Sequence, residues 1–172
     1  VQARGIKTSV DMVSDSTADY GKTVLPALRY CNYAIVNEVE CCTAFGLSPT
    51  KADGTPNEDD IRRAMEGMAA AGVADKVIVH AKPIGYCLDV KSGRFTAVPS
   101  LAFPRELIRG SVGAGDAFCA GCLYGLYNGF DDERLLRFAA AAAAASLTEE
   151  NAVDGMRPRD ELIDMIERYG GK

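Results

Sequence analysis

The sequence predicts an α/β domain built on a mostly parallel sheet with helices on both faces. Three observations lead there. Short apolar runs of strand type, Tyr33-Ala34-Ile35-Val36 and Val77-Ile78-Val79, alternate with stretches of helical period. Those runs are continuous in hydrophobicity, as strands covered on both faces are. The chain has 172 residues, 48% of them apolar, enough for one domain over 1–172 with its own core.

The elements follow in order. Val1-Gln2-Ala3-Arg4-Gly5 reads as a helix end stopped by glycine. Residues 6–12 alternate partly and predict a short strand. Asp11 stands near its C-terminal end, where open α/β sheets place ligands; it reads equally well as a strand-end turn residue. Ser14-Asp15-Ser16-Thr17-Ala18-Asp19 is a loop and cap signal. Residues 20–29 predict a helix, broken or kinked at Pro26. The strand at 33–36 leads into a helix running to Phe45. Asn37, followed three residues later by Glu40, is a capping box. It is also a pair of oxygen-bearing side chains one turn apart, able to hold hydrated magnesium against phosphates. Both readings can hold together.

Residues 47–57 form a polar loop. Residues 58–71 predict an amphipathic helix, with Ile61, Ala64, Met65, Met68 and Ala69 on one face and Gly72 ending it. Strands are expected at 77–79, 86–90 and 94–98. The turn Lys91-Ser92-Gly93 makes the last two antiparallel. Residues 80–85 are expected to form a connection, and His80 in it is most simply a structural histidine. Residues 117–127 predict a helix. Asp131-Asp132-Glu133 opens another, which runs through the alanines to Ala145 and is apolar nearly all round. Arg157-Pro158 opens the last helix, with Leu162, Ile163 and Ile166 inward and Gly170-Gly171 at its end.

One stretch carries chemistry: Gly110-Ser111-Val112-Gly113-Ala114-Gly115-Asp116-Ala117-Phe118. A glycine-rich turn entering a helix leaves backbone N–H groups unpaired and aimed one way, with the helix dipole behind them. That is an anion site. Asp116 at its mouth repels a phosphate ligand. As a base beside a phosphoryl group held by amides, it makes sense. Other glycine motifs do not fit. A P-loop needs lysine where Asp116 stands. A dinucleotide fingerprint needs glycine where Phe118 stands. No Gly-x-Ser-x-Gly elbow is present. The plain alternative is a glycine turn into a packed helix.

The formal net charge is −5, with no basic run, which argues against nucleic acid as a partner. No apolar run reaches membrane-spanning length, and no signal peptide is visible. The six cysteines, Cys31, Cys41, Cys42, Cys87, Cys119 and Cys122, are scattered through helix-like and strand-like runs. They read as packing thiols in a reducing cytoplasm rather than as disulfides or a zinc site.

The run Gly113-Ala114-Gly115-Asp116-Ala117-Phe118, then Ala120-Gly121, resembles the C-terminal signature of the PfkB (ribokinase-like) carbohydrate kinases. Leu123-Tyr124-Gly125-Leu126-Tyr127-Asn128-Gly129 and the alanine-rich helix at 138–145 fit the same family. Val36-Asn37-Glu38-Val39-Glu40 resembles its Asn-x-x-Glu motif. The resemblance implies a ribokinase-like (Rossmann-like) three-layer sandwich. It also implies that the 172 residues are the C-terminal half or more of a longer kinase, whose N-terminal part and lid are missing. It implies ATP-dependent phosphorylation of a sugar or nucleoside hydroxyl. Asp116 would be the base, Gly113, Ala114 and Gly115 the anion hole, and Asn37 and Glu40 the magnesium site. Ser111, Lys82, Gly85 and Ala140 correspond to nucleotide-side positions. Dimerisation through the lid would lie outside this chain, and the 172 residues alone should be inactive.

Three departures stand out. Gly110 replaces an aspartate that the family associates with a monovalent cation, which puts potassium activation in doubt. Lys82 replaces the first of two glycines near the nucleotide phosphates. Ala140 replaces an asparagine near the adenine. Together they leave open an alternative, a non-catalytic relative that binds nucleotide or sugar.

Overall fold

A computed structural model describes residues 1–13 and 20–171. The loop-and-cap signal at 14–19 lies outside the described residues. Five strands form one sheet in the order β1-β2-β3-β4-β5: β1 Ser9–Val10, β2 Tyr33–Asn37, β3 Lys76–Ala81, β4 Ile84–Asp89 and β5 Phe95–Pro99. β1 pairs with β2, and β2 with β3, in parallel. β3 and β4 are joined by only Lys82 and Pro83, and β4 and β5 by a short turn, connections that only antiparallel neighbours can use. The sheet is therefore mixed, with the hairpin end that the sequence predicts. The residues divide into two compact units, Val1–Ala81 with Tyr86–Thr96, and Lys82–Gly85 with Ala97–Lys172.

In the first unit, the expected strand at 6–12 shrinks to Ser9–Val10. A short 3-10 turn, Gln2–Arg4, precedes it and ends at Gly5 with φ 73°. The helix predicted at 20–29 is two short helices, α1 Tyr20–Thr23 and α2 Leu25–Leu28. Proline is the cause. Pro26 lacks an N–H and crowds the preceding turn, so it is accommodated in the first turn of α2. β2 is buried through Ala34, Ile35 and Val36, and β3 through Val77, Ile78 and Val79. The register Ile35↔Ile78 places like side chains side by side. α3 spans Glu38–Thr43 and α4 Glu58–Ala70. α4 buries Ile61, Ala64, Met65 and Met68, the face read from its period; Gly72 follows at φ 119°.

One polar cluster ties the strand entrances of this unit. Asp75, buried just before β3, accepts from Asn32 Nδ2 at 2.8 Å and pairs with Lys7 and Lys91, each at 2.5 Å. Burial alone would raise the Asp75 carboxyl. The bonds from Lys7, Lys91 and Asn32 outweigh it and hold the pKa at about 2.

The second unit is helical: α5 Ala114–Tyr127, α6 Asp132–Ser146 and α7 Arg159–Tyr169. Asp131 caps α6, its carboxylate accepting from Arg134 N–H at 2.9 Å. Pro158 stands just ahead of α7, where its missing N–H costs nothing. Small residues let α5 and α6 meet closely. A Cβ on Gly121 would lie 2.8 Å from Ala139 Cα. Phe138, Ala141, Ala142, Ala145 and Leu162 form a buried cluster, with Phe130, Met165 and Ile166 packed against it. Tyr124 stacks on Phe138 at 5.0 Å. All six cysteines are thiols, and five are buried. Among the described residues no helix is long and apolar enough to cross a membrane.

Candidate active site

The glycine stretch folds as a turn onto the N-terminus of α5. Gly113 takes φ 80°, ψ 0° at the N-cap position, a conformation that side-chain-bearing residues rarely adopt. The helix therefore starts at Ala114, three residues earlier than its apolar pattern predicts. Asp116 consequently lies inside the first turn, at its third position, and its side chain is exposed. Gly113 has no side chain with which to cap. The Ala114 N–H reaches Ser111 O at 3.4 Å, and the first regular helical bond is Ala117 N–H to Gly113 O at 2.8 Å. The Gly115 and Asp116 amides fall in the turn that no helical acceptor serves. A carboxylate here also favours the helix dipole, so Asp116 supports α5 whatever else it does.

Ser111, Gly113, Ala114, Gly115 and Asp116 are thus together in one turn, with Ser111 exposed. Ala140 is half-buried on α6. Lys82 is exposed in the β3–β4 turn. The connection expected at 80–85 is shorter than predicted: His80 and Ala81 complete β3, Ile84 and Gly85 begin β4, and proline sets the tight turn between. Gly85 is buried, and a Cβ there would meet Leu136 Cδ2 at 3.3 Å and Phe118 Cζ at 3.5 Å. A Cβ there would be snug against these two side chains, and Leu136 would have to give by only a few tenths of an ångström.

Gly110, a departure at the level of sequence, has a steric reason. A Cβ would sit 2.8 Å from Glu149 O and 3.0 Å from Glu150 Cα. An aspartate at this position would require the loop after α6 to move. That loop escapes sequence reasoning. Its one visible signal is the pair of small residues Ala152 and Gly155 in a short stretch that opens on Thr148-Glu149-Glu150-Asn151.

In the first unit, β2 ends at Asn37 and α3 begins at once. Asn37 Oδ1 accepts from Glu40 N–H at 2.8 Å, and Asn37 N–H donates to Glu40 Oε2 at 3.1 Å. The capping box is complete. Glu40 is only 4% exposed. His80 lies opposite Asn37 in the parallel register. Burial lowers the His80 pKa, and the Glu40 charge opposes that shift. Asp11 is exposed, and its carboxylate accepts from the Met12 N–H at 2.8 Å, as a strand-end residue does.

Magnesium is implied by the resemblance, and the donor set tests it. The cap engages the single side-chain oxygen of Asn37 and one of the two carboxylate oxygens of Glu40. Among the described residues no group of three or more His, Cys, Asp or Glu is placed to hold a metal ion. The pair fits an ion that keeps its waters and rides on phosphates, not a protein-built cage.

The fold is ribokinase-like, with the glycine turn and its exposed carboxylate in the second unit and the capped Asn-x-x-Glu pair in the first. The chain belongs to the pfkB family of carbohydrate kinases, whose pattern matches residues 2–159. It is 27% identical over 177 residues to the 5-dehydro-2-deoxygluconokinase of Geobacillus kaustophilus, covering 95% of this chain and 52% of that enzyme. The Arabidopsis thaliana ribokinase, solved with ribose and ATP, superposes with a TM-score of 0.77 at 20% identity, over 96% of this chain and 49% of its own. An Escherichia coli protein assigned as a ribokinase II, in complex with ATP and Mg2+, gives 0.76 at 23%, over 98% and 51%. The chain spans about half the length of the curated relatives it matches.

Proposed function

We propose that these residues form the phosphoryl-transfer part of an ATP-dependent sugar kinase. The observation that carries the reading is Asp116, an exposed carboxylate in the first turn of a helix whose entrance no side chain caps. Asp116 accepts the proton of the acceptor hydroxyl as the γ-phosphoryl group moves to that oxygen. The amides of residues 113–116 donate to the oxygens of the transferring group, where charge develops. They are fixed by the turn beforehand, so no reorganisation is needed at the moment of transfer. Asn37 and Glu40 would hold a hydrated magnesium ion, which when bound would supply screening of phosphate charge. Ser111, Ala140, Gly85 and Lys82 stand on the nucleotide side of this reading. Family membership and the kinase names of the relatives support it. The acceptor is a sugar or sugar-like alcohol.

The test is Asp116→Asn in the full-length protein, assayed by ADP release over a panel of sugars, sugar acids and nucleosides. The variant keeps the shape and removes the base. Turnover should fall by about 10²–10⁴-fold. Near wild-type turnover would eliminate the role. Ligand binding by the wild type with no turnover anywhere on the panel would favour the alternative, a non-catalytic binding relative.

A further inference from the structure

The loop after α6 takes no part in the chemistry proposed above, yet it is the back wall of the glycine turn. A Cβ on Gly113 would lie 2.5 Å from Ala152 Cβ and 2.8 Å from its Cα. One on Gly110 would lie 2.8 Å from Glu149 O. The Arg109 N–H donates to Leu147 O at 2.8 Å. Turn and loop therefore meet backbone against backbone at three places, with no flexible side chain between them.

The loop is also closed on itself. Asn151 Oδ1 accepts from the N–H groups of Val153, at 3.0 Å, and Asp154, at 2.8 Å. Gly155 rests on the end of α6, where a Cβ would be 2.6 Å from Ala145 O. Arg157 completes the closure. Its Nη1 donates to Asp154 O and Met156 O, both at 3.1 Å, and its Nη2 donates to Thr148 Oγ1 at 3.3 Å. The Thr148 hydroxyl donates in turn to Ala145 O at 2.8 Å. The guanidinium thus holds two carbonyls at the end of the loop and reaches its start through one bond, to the Thr148 hydroxyl. A planar fork suits that task, and a point-charge ammonium does not.

We propose that Arg157 is a positioning residue for phosphoryl transfer. By closing the loop it keeps residues 149–152 as a rigid wall, and the wall fixes the amides of residues 113–116. The catalytic consequence rests on the proposed function; the structural one does not. Misplacing donors by about 1 Å costs on the order of 10²-fold in rate.

The experiment uses the full-length protein carrying Arg157→Ala, Arg157→Lys or Thr148→Val, with two readouts. The first is deuterium exchange of backbone amides over residues 109–118, with 33–41 as the reference. Arg157→Ala should speed exchange about tenfold or more at 109–118 and leave 33–41 unchanged. The second is steady-state kinetics. The kcat should fall about 10–10²-fold while the KM for the acceptor stays within about twofold. Arg157→Lys should recover little, and added guanidinium ion at tens of millimolar should restore part of the lost kcat to Arg157→Ala only. Thr148→Val, which removes one acceptor, should shift both readouts in the same direction by less; it decides the question if Arg157→Ala does not fold. Unchanged exchange at 109–118, equal acceleration in both segments, or an unchanged kcat would overturn the proposal. A wild type inactive on every acceptor would instead sink the functional reading, and exchange would still decide whether Arg157 holds the wall.

Discussion

Three glycines in the second unit separate two costs that usually arrive together. Gly129 has φ 68° and open space where a Cβ would stand. Gly110 has no positive φ but a Cβ position 2.8 Å from a carbonyl oxygen. Gly113 has both problems, φ 80° and Ala152 at 2.5 Å. Gly129→Ala should therefore cost the left-handed penalty of roughly 1–2 kcal/mol, less the roughly 0.4–1 kcal/mol gained by restricting the unfolded chain. Gly110→Ala should cost an overpacking penalty of about 1–3 kcal/mol. Gly113→Ala should cost about 2–4 kcal/mol, close to the sum of the two. Urea unfolding followed by far-ultraviolet circular dichroism measures all three, since α5 and α6 dominate the helical signal of this unit. If Gly113→Ala is no worse than Gly129→Ala, the wall yields and the contact argument is wrong. If Gly110→Ala is neutral, the close approach to Glu149 has no energetic weight.

The Asp75 cluster predicts a pH dependence. Its folded pKa of about 2 lies below the ordinary 3.8, so its contribution is complete above about pH 4 and is lost as pH falls through about 2. Lys7 and Lys91 are 53% and 73% exposed, so solvent screening reduces the effect to roughly 1 kcal/mol. Asp75→Asn should flatten the wild-type loss of stability between pH 5 and about pH 2.5, measured by thermal unfolding; an unchanged slope would refute the assignment. Asn37→Ala should destabilise by about 1 kcal/mol through loss of the cap, measured by urea unfolding. Gly121→Ala should cost about 1–3 kcal/mol, because its Cβ would press on Ala139 Cα; a neutral result would mean that α5 and α6 can part freely.

What was legible in the sequence was local. The Asn37–Glu40 box is a spacing of three, and the structure builds it as a cap with both reciprocal bonds. The faces of α4 and the hairpin end of the sheet follow from period and turn residues. The start of α5 is not legible, because Ala-Gly-Asp carries little helical signal and only the φ of Gly113 reveals where the turn ends. The break between α1 and α2 is only partly legible: the sequence shows the proline, but its preference for a first turn decides which residues remain helical. The role of Gly110 was illegible because its neighbours Glu149 and Glu150 are distant in sequence. The same holds for Asp75, whose partners Lys7, Asn32 and Lys91 enter from separate connections.

The meeting of Gly121 with Ala139 bears on how the carboxylate of Asp116 is aimed. Helices separated by long side chains can roll, because those side chains change rotamer to follow. At the Gly121–Ala139 crossing no side chain stands between the two main chains, although Tyr124 and Phe138 stack elsewhere along the pair. Successive residues are about 100° apart around a helix, so rolling α5 by one position would drive a side chain into the α6 backbone. The azimuth of Asp116 is thus inherited from main-chain contact. Under the proposed function, any adjustment to acceptors of different shape would fall to elements other than α5 and α6.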